Sequence, residues 1–440
     1  MYYWLVRFKF SCISVSTLVT LVAASFCRAQ QMVITPDKPS GVYQVGDTVH
    51  WTVEWKGTNA PAARYTFKSG GLTTVGQGGL SFSNGIASLE TRFGTPGTML
   101  VEVKWQPEND TNYAVGGAVA APARIMPAAP APADFNAFWK AKLKELETVP
   151  VNPELKRANS GRRGVAYWKI TMDNIRGSHI EGQIARPEKG EKFPALLIVQ
   201  WAGVYGLQKI WVTDRAAEGW LALNIEPHDL PIDKPENFYK KQFAGPLKDY
   251  WAIGNDNREA SYYLRMYLSC YRAVEYLKTR PDWDGKTLVM MGDSQGGQQT
   301  LVTAGLHPEN ITAALALVPA GCDMLGPEVG HAPDFTRWYF RTEGGKDPKK
   351  VRKASRYYDT ANFASLIKCP VLVGVGLRDE VCPPAGVFAA VNQITSPKEL
   401  IILSKSGHQD EHGTQAPYDK RRWNAWLPAL RQGLSAPVQQ

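Results

Sequence analysis

Ser294 is placed where a serine could act as a nucleophile. It lies in the string Gly292-Asp293-Ser294-Gln295-Gly296-Gly297, which follows the apolar run 288–291 and precedes a predicted helix that begins near Gln298. A nucleophile elbow is a sharp strand-to-helix turn that exposes the serine hydroxyl at the top of a sheet. The residues two before and two after the serine must then be nearly free of side chains, and glycine at 292 and 296 meets that requirement.

An acid and a base follow Ser294 in the chain. Asp379 comes just after the apolar run 371–376, and His408 comes just after the run 400–403. A serine hydroxyl is a poor nucleophile at neutral pH, so it needs a base, and the base needs a third group that fixes its tautomer. The order Ser, Asp, His is that of α/β-hydrolases. The sequence therefore predicts a triad of Ser294, Asp379 and His408. A turn cap at Asp379 and a surface histidine at 408 are the alternatives, but neither explains why both follow strands.

Acyl transfer also needs donors for the negative charge that develops on the carbonyl oxygen. The backbone N–H of Gln295, directly after the nucleophile, is the expected first donor. The second is expected from the loop 200–206, which follows an early strand. We assign it to the N–H of Val204, and this assignment fixes the position in the loop to about one residue. Trp201 and Tyr205 in this loop are either pocket aromatics or core residues. Trp338, in the irregular segment 321–355, is a further pocket candidate, because that segment could be a lid or a substrate-facing insertion.

A second motif overlaps the base. The string His408-Gln409-Asp410-Glu411-His412 fits H-x-x-E-H, a zinc-protease signature. That chemistry needs both histidines on one helix face and a third ligand. Glycines at 407 and 413 bracket the string, and no glutamate follows residue 411. The sequence therefore argues against a metal site.

The bulk composition is that of a globular protein with a sizeable core. Its hydrophobic content of 44% is ordinary for such a protein. Its length of 440 residues exceeds the usual range of a single domain and predicts two domains. Its formal net charge is +9, and without residues 1–29 it would carry 47 basic and 41 acidic side chains, a charge of +6. This charge is mild, and the densest basic stretch, 346–356, is short. We therefore interpret that stretch as a solvated loop and expect no nucleic-acid partner.

Residues 1–29 are predicted to be a secretory signal peptide. Arg7 and Lys9 give a basic start, the segment 12–27 is apolar, and Ala29 offers a small residue for cleavage. An uncleaved membrane anchor is the alternative. We expect an exported protein, periplasmic or extracellular, with no stable membrane association after cleavage.

Four cysteines would remain in the mature chain, at 270, 322, 369 and 382. Two disulfides with three connectivities are possible in an exported protein. However, Cys369 and Cys382 flank a strand that holds its ends about 20 Å apart at ~3.3 Å per residue. Cys270 lies in the middle of a predicted helix. Mostly buried free thiols are therefore expected.

The chain divides into two parts of different pattern. In residues 30–120, short runs with period-two alternation predict a small all-β sandwich, with strands at 48–55, 64–67, 86–91 and 99–105. Residues 121–133 form an Ala/Pro-rich linker, and Asp134 is a candidate N-cap of the helix that follows. Residues 134–440 are predicted to be an α/β catalytic domain with a mostly parallel sheet, because strands and helices alternate. Its apolar runs are 195–199, 220–225, 287–291, 313–318, 371–375 and 399–403, and its longest helix is 260–278.

Several blocks of this second part resemble the acetyl xylan esterase and cephalosporin C deacetylase family of carbohydrate esterases. They are the elbow, the helix start at 134–139, and the blocks 357–364, 367–371, 376–384 and 387–390. The resemblance covers about residues 134–430 of the chain. It implies an α/β-hydrolase fold and removal of acetyl groups from sugar hydroxyls. Ser294, Asp379 and His408 would be nucleophile, orienting acid and base, without metal or organic cofactor.

Three positions depart from the family pattern. Its His-Gly-Tyr-Gly loop is replaced by residues 200–206, its Arg-Gly-Gln motif by Glu226-Pro227-His228-Asp229, and the acid after the base by Gln409. The N-terminal sandwich lies outside the resemblance. We expect it to be a structural or oligomer-contact module, and carbohydrate binding is the alternative. We thus expect a serine esterase acting on acetylated carbohydrate, with a homo-oligomer possible. The alternatives are a peptidase or another carboxylic ester hydrolase of this fold, and a non-catalytic glycan-binding protein with a vestigial site.

Overall fold

The N-terminal part of the protein is a sandwich of two β-sheets around one core. The computed structural model describes residues 32–105 and 112–439, so the predicted signal peptide lies outside the described residues. Within 32–105 and 112–120, a three-stranded sheet has the order β1-β3-β6, and a five-stranded sheet has the order β2-β8-β7-β4-β5. The strands are β1 Met32–Pro36, β2 Val42–Tyr43, β3 Thr48–Trp55, β4 Ala63–Ser69, β5 Thr73–Leu80, β6 Ile86–Arg92, β7 Gly97–Trp105 and β8 Tyr113–Ala120.

Side-chain alternation explains this sandwich. In β3, Val49, Trp51 and Val53 are buried, while the residues between them face solvent. Buried residues of both sheets, among them Trp51 and Val101, belong to one hydrophobic cluster. The predicted period-two strands and the sandwich are therefore confirmed.

Residues 154–403 contain one large, mostly parallel sheet. Across this described range the strand order is β17-β16-β15-β14-β12-β13-β11-β10-β9. The strands are β9 Glu154–Ala158, β10 Val165–Asp173, β11 His179–Pro187, β12 Phe193–Ile198, β13 Leu221–Ile225, β14 Trp283–Asp293, β15 Ala313–Leu317, β16 Val371–Gly376 and β17 Lys398–Leu403. Strands β12 to β17 pair in parallel, and all six apolar runs are strands of this sheet. The predicted α/β fold is confirmed.

Helices cover both faces of the large sheet. They are α1 Phe135–Glu147, α2 Ile210–Ala217, α3 Glu236–Ala244, α4 Tyr262–Thr279, α5 Gln295–Leu306, α6 Pro348–Ser355, α7 Thr360–Ala364, α8 Pro384–Val391, α9 Ala416–Arg421 and α10 Leu427–Arg431. Among the described helices, none is long and apolar enough to cross a membrane. All four cysteines in the described residues are buried and free, as expected.

Strands β9, β10 and β11 were not predicted individually. They pair antiparallel with one another, and β11 pairs antiparallel with β13. Strand β9 is almost wholly exposed and carries charged residues, so it has no apolar pattern. An edge strand of this kind is held by its backbone ladder, which a hydropathy pattern does not reveal.

Asp134 precedes α1 as predicted, but its side chain does not cap the helix. Its carboxylate instead accepts hydrogen bonds from the Tyr357 hydroxyl and from Arg258. Asp134 is therefore the N-cap residue by position, but its side chain makes no capping hydrogen bond, because Arg258 and Tyr357 bind the carboxylate.

The sandwich packs directly on the loop that carries Asp379. The Arg378 guanidinium donates to the carbonyl of Ile34 at 2.7 Å, and the Tyr113 hydroxyl donates to Glu380 at 3.2 Å. A Cβ atom at Gly117 would lie 2.0 Å from the carbonyl oxygen of Leu377, so only glycine permits this approach. The loop after β16 is thus supported from outside the large sheet.

The predicted linker lies against the second part of the chain. The Asn392 amide donates to the carbonyls of Pro122 and Ile125, both at 2.8 Å. The N–H of Ala128 donates to Asp323 at 2.8 Å. These contacts hold the segment in place; the domain boundaries at 30, 120, 133 and 440 stay predictions.

Candidate active site

The turn between β14 and α5 has the backbone of a nucleophile elbow. Ser294 has φ 58° and ψ −121°, a left-handed conformation that a non-glycine residue adopts only under constraint. A Cβ atom at Gly292 would lie 2.5 Å from the carbonyl carbon of Gly296, and one at Gly296 would lie 2.7 Å from the carbonyl oxygen of Val199. The Ser294 N–H donates to the carbonyl of Leu317 at 2.8 Å. Glycine sterics and this bond to β15 together maintain the strained turn.

Ser294, His408 and Asp379 form one hydrogen-bonded chain. His408 Nε2 lies 2.9 Å from Ser294 Oγ, and His408 Nδ1 lies 2.9 Å from Asp379 Oδ2. Each side chain follows the carboxyl end of a parallel strand: β14, β17 and β16 respectively. Neighbouring parallel strands end at the same edge of the sheet, so residues 114 positions apart meet there. The structure thus brings together the three predicted residues.

The second oxygen of Asp379 is occupied by its own loop. Asp379 Oδ1 accepts the N–H groups of Val381 at 2.8 Å and Cys382 at 2.7 Å. This leaves Oδ2 for the histidine. Burial lowers the pKa of His408, but the charge and hydrogen bond of Asp379 outweigh that effect, so its pKa lies above the usual value. A carboxylate in this position stabilises the imidazolium form.

The loop 200–206 lies beside the elbow. The Gln299 amide donates to the carbonyl of Gln200 at 2.9 Å. The N–H of Gly203 donates to the Tyr250 hydroxyl at 3.2 Å, and that hydroxyl donates to Gln295 Oε1 at 2.6 Å. Gln295 is the first residue of α5, where a helix does not use its own N–H groups. Both predicted oxyanion donors, Gln295 and Val204, are therefore on neighbouring segments.

Behind this loop lies a buried polar cluster that sequence reasoning did not assign a role. His228 and Glu226 follow β13, and Tyr262 begins α4. His228 Nε2 lies 2.7 Å from the carbonyl oxygen of Gly203, and His228 Nδ1 lies 2.8 Å from the Tyr262 hydroxyl. Burial lowers the pKa of His228 to about 3 and raises the pKa of Glu226 to about 8. The signal in the sequence was the departure at residues 226–229 from the family pattern.

Trp201 and Tyr205 form an aromatic surface on the same loop. Their rings stack with centroids 5.4 Å apart, and Trp201 is 44% exposed. The Tyr205 hydroxyl donates to the carbonyl of Trp201 at 2.9 Å, which fixes the loop behind the indole. Of the two interpretations, the exposed ring of Trp201 favours a ligand-facing role.

Trp338 is not a pocket residue. Its side chain is fully buried, its ring packs against Tyr263 and Tyr358, and its Nε1 donates to the carbonyl of Trp251 at 2.6 Å. The pocket interpretation is wrong, because the aromatic insertion uses this indole as a core anchor. An aromatic residue in an irregular segment is equally suited to both uses.

The H-x-x-E-H string does not have the geometry of a zinc site. Residues 408–412 are not helical, His412 has φ 56°, and its side chain is exposed. Among the described residues, one set of three possible ligands lies within 4.8 Å, namely Asp379, Cys382 and His408. Both nitrogens of that histidine are already engaged by Ser294 and Asp379.

The fold and this site define the class. The protein is an α/β-hydrolase, because it has a mostly parallel sheet, a serine elbow, and an acid and a histidine after the following strands. The chain belongs to the acetyl xylan esterase (AXE1) family, which it matches over residues 123–427. This family is one of carboxylic ester hydrolases, so the predicted family and enzyme class are confirmed at that level.

Similar proteins carry related names. A curated acetyl esterase of Xylanibacter ruminicola is 35% identical over 294 residues, a match that covers 65% of this chain and 66% of that protein. The match thus spans just under two thirds of that relative. Solved acetyl xylan esterases of Thermoanaerobacterium sp. and Paenibacillus sp. R4 are 22% and 23% identical and cover 68% of this chain and 96% of theirs, each with a TM-score of 0.58. At that identity, the two structures establish the fold alone.

Replacing Glu226 with glutamine is expected to stabilise the protein at alkaline pH. Burial raises the pKa of Glu226 to about 8 from 4.5, so the folded state binds its proton more tightly than the unfolded state. The stability that this proton provides is complete below pH 4.5 and is lost as the pH rises to 8. Glutamine avoids the loss, which is on the order of several kcal/mol.

Melting temperatures at pH 5 and pH 9 test this prediction. Glu226→Gln should match the wild type near pH 5 and melt several degrees higher at pH 9. Glu399→Gln is the control, for which the opposite change, a lower melting temperature at pH 9, is expected. This buried carboxylate accepts two hydrogen bonds from Arg421 and has a lowered pKa. An equal effect of Glu226→Gln at both pH values would contradict the assigned ionisation.

Proposed function

We propose that the protein is an exported serine esterase that removes acetyl groups from carbohydrate, such as xylan-type polysaccharide or its oligosaccharides. The observation that carries this proposal is the hydrogen-bonded chain from Ser294 through His408 to Asp379, on the elbow of a chain of the acetyl xylan esterase family. The relative in Xylanibacter ruminicola, itself named an acetyl esterase, supports the same acyl group.

In the proposed first half-reaction, Ser294 Oγ attacks the acetyl carbonyl carbon. His408 Nε2, at 2.9 Å from this oxygen, takes its proton. The N–H groups of Gln295 and Val204 bind the oxygen of the tetrahedral intermediate. His408 then gives the proton to the sugar oxygen as the C–O bond breaks, which leaves an acetyl group on Ser294.

In the second half-reaction, water takes the place of the sugar. His408 removes a proton from the water, which attacks the acetyl-enzyme, and the same proton returns to Ser294 Oγ as acetate leaves. Asp379 stays ionised throughout and stabilises the imidazolium that forms twice in the cycle. No step needs a metal or an organic cofactor.

Acetate release from acetylated xylan is the decisive experiment. The purified mature protein should release acetate from this polymer and from acetylated xylo-oligosaccharides, and it should leave peptide anilides intact. Cleavage of the anilide in preference to the sugar ester would replace the proposal with a peptidase. A protein that binds the polymer but hydrolyses neither class would be a glycan-binding module.

Trp201→Ala is expected to weaken activity on the polymer selectively. The exposed indole, backed by Tyr205, offers an apolar face for a sugar ring. Burial of such a face contributes about 1–2 kcal/mol, so kcat/KM on acetylated xylan should fall by about 5- to 30-fold, mainly through KM. Hydrolysis of p-nitrophenyl acetate should change by less than about twofold, because this ester has no sugar ring to stack.

Trp201→Phe serves as the graded control, since it keeps an aromatic face. It should retain most of the activity on the polymer. An equal loss on both substrates in Trp201→Ala would show that the indole supports the loop and does not contact the sugar.

A further inference from the structure

We propose that His228 is a positioning residue that orients the Val204 N–H as the second oxyanion donor. This inference rests on the proposed function, since it concerns a step of the same acyl transfer. It follows from the peptide unit that joins Gly203 and Val204. The carbonyl of Gly203 and the N–H of Val204 belong to one plane and point in opposite directions, because no peptide bond between described residues is cis.

The hydrogen bond from His228 fixes the direction of that plane. His228 Nε2, on the segment that follows β13, lies 2.7 Å from the Gly203 carbonyl oxygen. The opposite end of the same peptide unit, the Val204 N–H, therefore points away from His228. Gly203 has φ +131°, a conformation that side chains rarely adopt, so the loop depends on this position to turn the peptide.

The surroundings of His228 define its tautomer. A carbonyl oxygen can only accept, so the proton must be on Nε2. Nδ1 is then the acceptor for the Tyr262 hydroxyl at 2.8 Å, and that hydroxyl in turn accepts from Arg265 at 2.6 Å. Burial lowers the pKa of His228 to about 3, so the ring is neutral at any pH at which the esterase would work. One tautomer therefore persists throughout turnover.

A second chain of bonds sets the distance between the loop and the nucleophile. The Gly203 N–H donates to Tyr250, and Tyr250 donates to the side chain of Gln295, the residue after Ser294. Both sides of Gly203 are thus held, one by the elbow through Tyr250 and the other by His228. Donation to the Gly203 carbonyl also polarises the peptide, which strengthens its N–H as a donor at the other end.

Two segments whose sequences differ from the family pattern contact each other at Gly203. Residues 200–206 and 226–229 are two of the segments that depart from that pattern, and the bond between His228 and Gly203 joins them. Both departures therefore meet at one peptide unit beside the nucleophile.

His228→Leu and His228→Gln test the proposal with p-nitrophenyl acetate as substrate. Leucine removes the donor to Gly203, whereas a glutamine amide can reach the place of Nε2 and donate. Loss of an oriented oxyanion donor should lower kcat by about 10- to 100-fold in His228→Leu, with KM changed by less than about threefold. His228→Gln should recover most of the lost kcat.

His307 provides a matched control away from the nucleophile. It is also buried, its Nε2 lies 3.1 Å from the carbonyl of Tyr271, and its pKa is also lowered, to about 4. His307→Leu should lower the melting temperature but leave kcat within about twofold, since this carbonyl orients no donor at the site. If His228→Leu does not fold, Tyr262→Phe replaces it. Loss of the hydroxyl that donates to Nδ1 leaves the His228 ring held by its bond to Gly203 alone, which should lower kcat by about threefold or more.

The proposal is overturned if kcat is unchanged in both His228→Leu and Tyr262→Phe, if the loss is confined to KM, or if His228→Gln is as impaired as His228→Leu. The small ester separates this result from the sugar assignment. A wild type that hydrolyses p-nitrophenyl acetate but not acetylated xylan refutes the proposed substrate and leaves the test of His228 intact. A wild type inactive on every ester refutes both.

Discussion

Ser294→Ala should reduce acetate release by about 10⁴-fold or more, with kcat/KM falling equally on acetylated xylan and on p-nitrophenyl acetate. The loss is expected on both substrates because the serine oxygen forms the acetyl-enzyme in each. The variant should fold normally. Alanine and serine both carry a Cβ atom, so a φ of 58° costs them a similar free energy, and the hydrogen bond from the N–H of residue 294 to Leu317 remains. Steady-state acetate release and melting temperature together check this expectation.

Ser269→Ala is a suitable control for Ser294→Ala. Ser269 is another buried serine, whose hydroxyl donates to the carbonyl of Arg265 at 2.9 Å within α4. This variant should lose stability but keep its activity. Substantial acetate release by Ser294→Ala would contradict the proposed nucleophile. If that residual activity were also abolished by a chelator, the set of Asp379, Cys382 and His408 would have to be reconsidered as a metal site.

The elements that the sequence predicted well are those set by local sterics or by continuous burial. The elbow could be inferred because Gly292 and Gly296 face backbone atoms at distances that no side chain tolerates. The runs of β12 to β17 could be inferred because these strands are buried on both faces, which gives an unbroken apolar string. Asp379 and His408 could then be placed, since each follows such a strand.

The parts that were missed depend on contacts between distant segments. The bond from His228 to Gly203 spans 25 residues, and the one from Tyr250 to Gln295 spans 45. No periodicity or spacing encodes either bond. Trp338 shows the same limit for packing. A tryptophan side chain can line a pocket or fill a core, and only its contacts with Tyr263 and Tyr358 show that it belongs to the core.

The support of Asp379 by the sandwich also could not be predicted. The resemblance begins near residue 134, and the sandwich was interpreted as a separate module. Yet Arg378 reaches the backbone of Ile34, and Tyr113 reaches Glu380, on both sides of the proposed acid. The N-terminal sheets therefore belong to the framework that holds the candidate site.

Asp379→Asn should lower kcat by about 10⁴-fold while leaving the fold intact. The two N–H groups of Val381 and Cys382 already occupy Asp379 Oδ1, so the asparagine carbonyl oxygen should take that place. The NH₂ group then faces His408 Nδ1 as a donor. His408 must respond with a proton on Nε2, which faces Ser294 and can no longer accept from it. The loss would thus come from the wrong tautomer as well as from the missing charge.

The pH profile distinguishes this explanation from simple misfolding. His408 must be neutral to accept a proton, and its pKa lies above the usual value because of Asp379. The acidic limb of kcat/KM in the wild type should therefore lie above pH 6.5, and in Asp379→Asn the limb of the residual activity should move to lower pH. Asp293→Asn is the control, because Asp293 also raises the pKa of His408 but pairs with Arg422 and does not touch the ring. It should shift the limb slightly downward with kcat kept within a few-fold. An unshifted limb in Asp379→Asn would mean that another group controls the ionisation of the base.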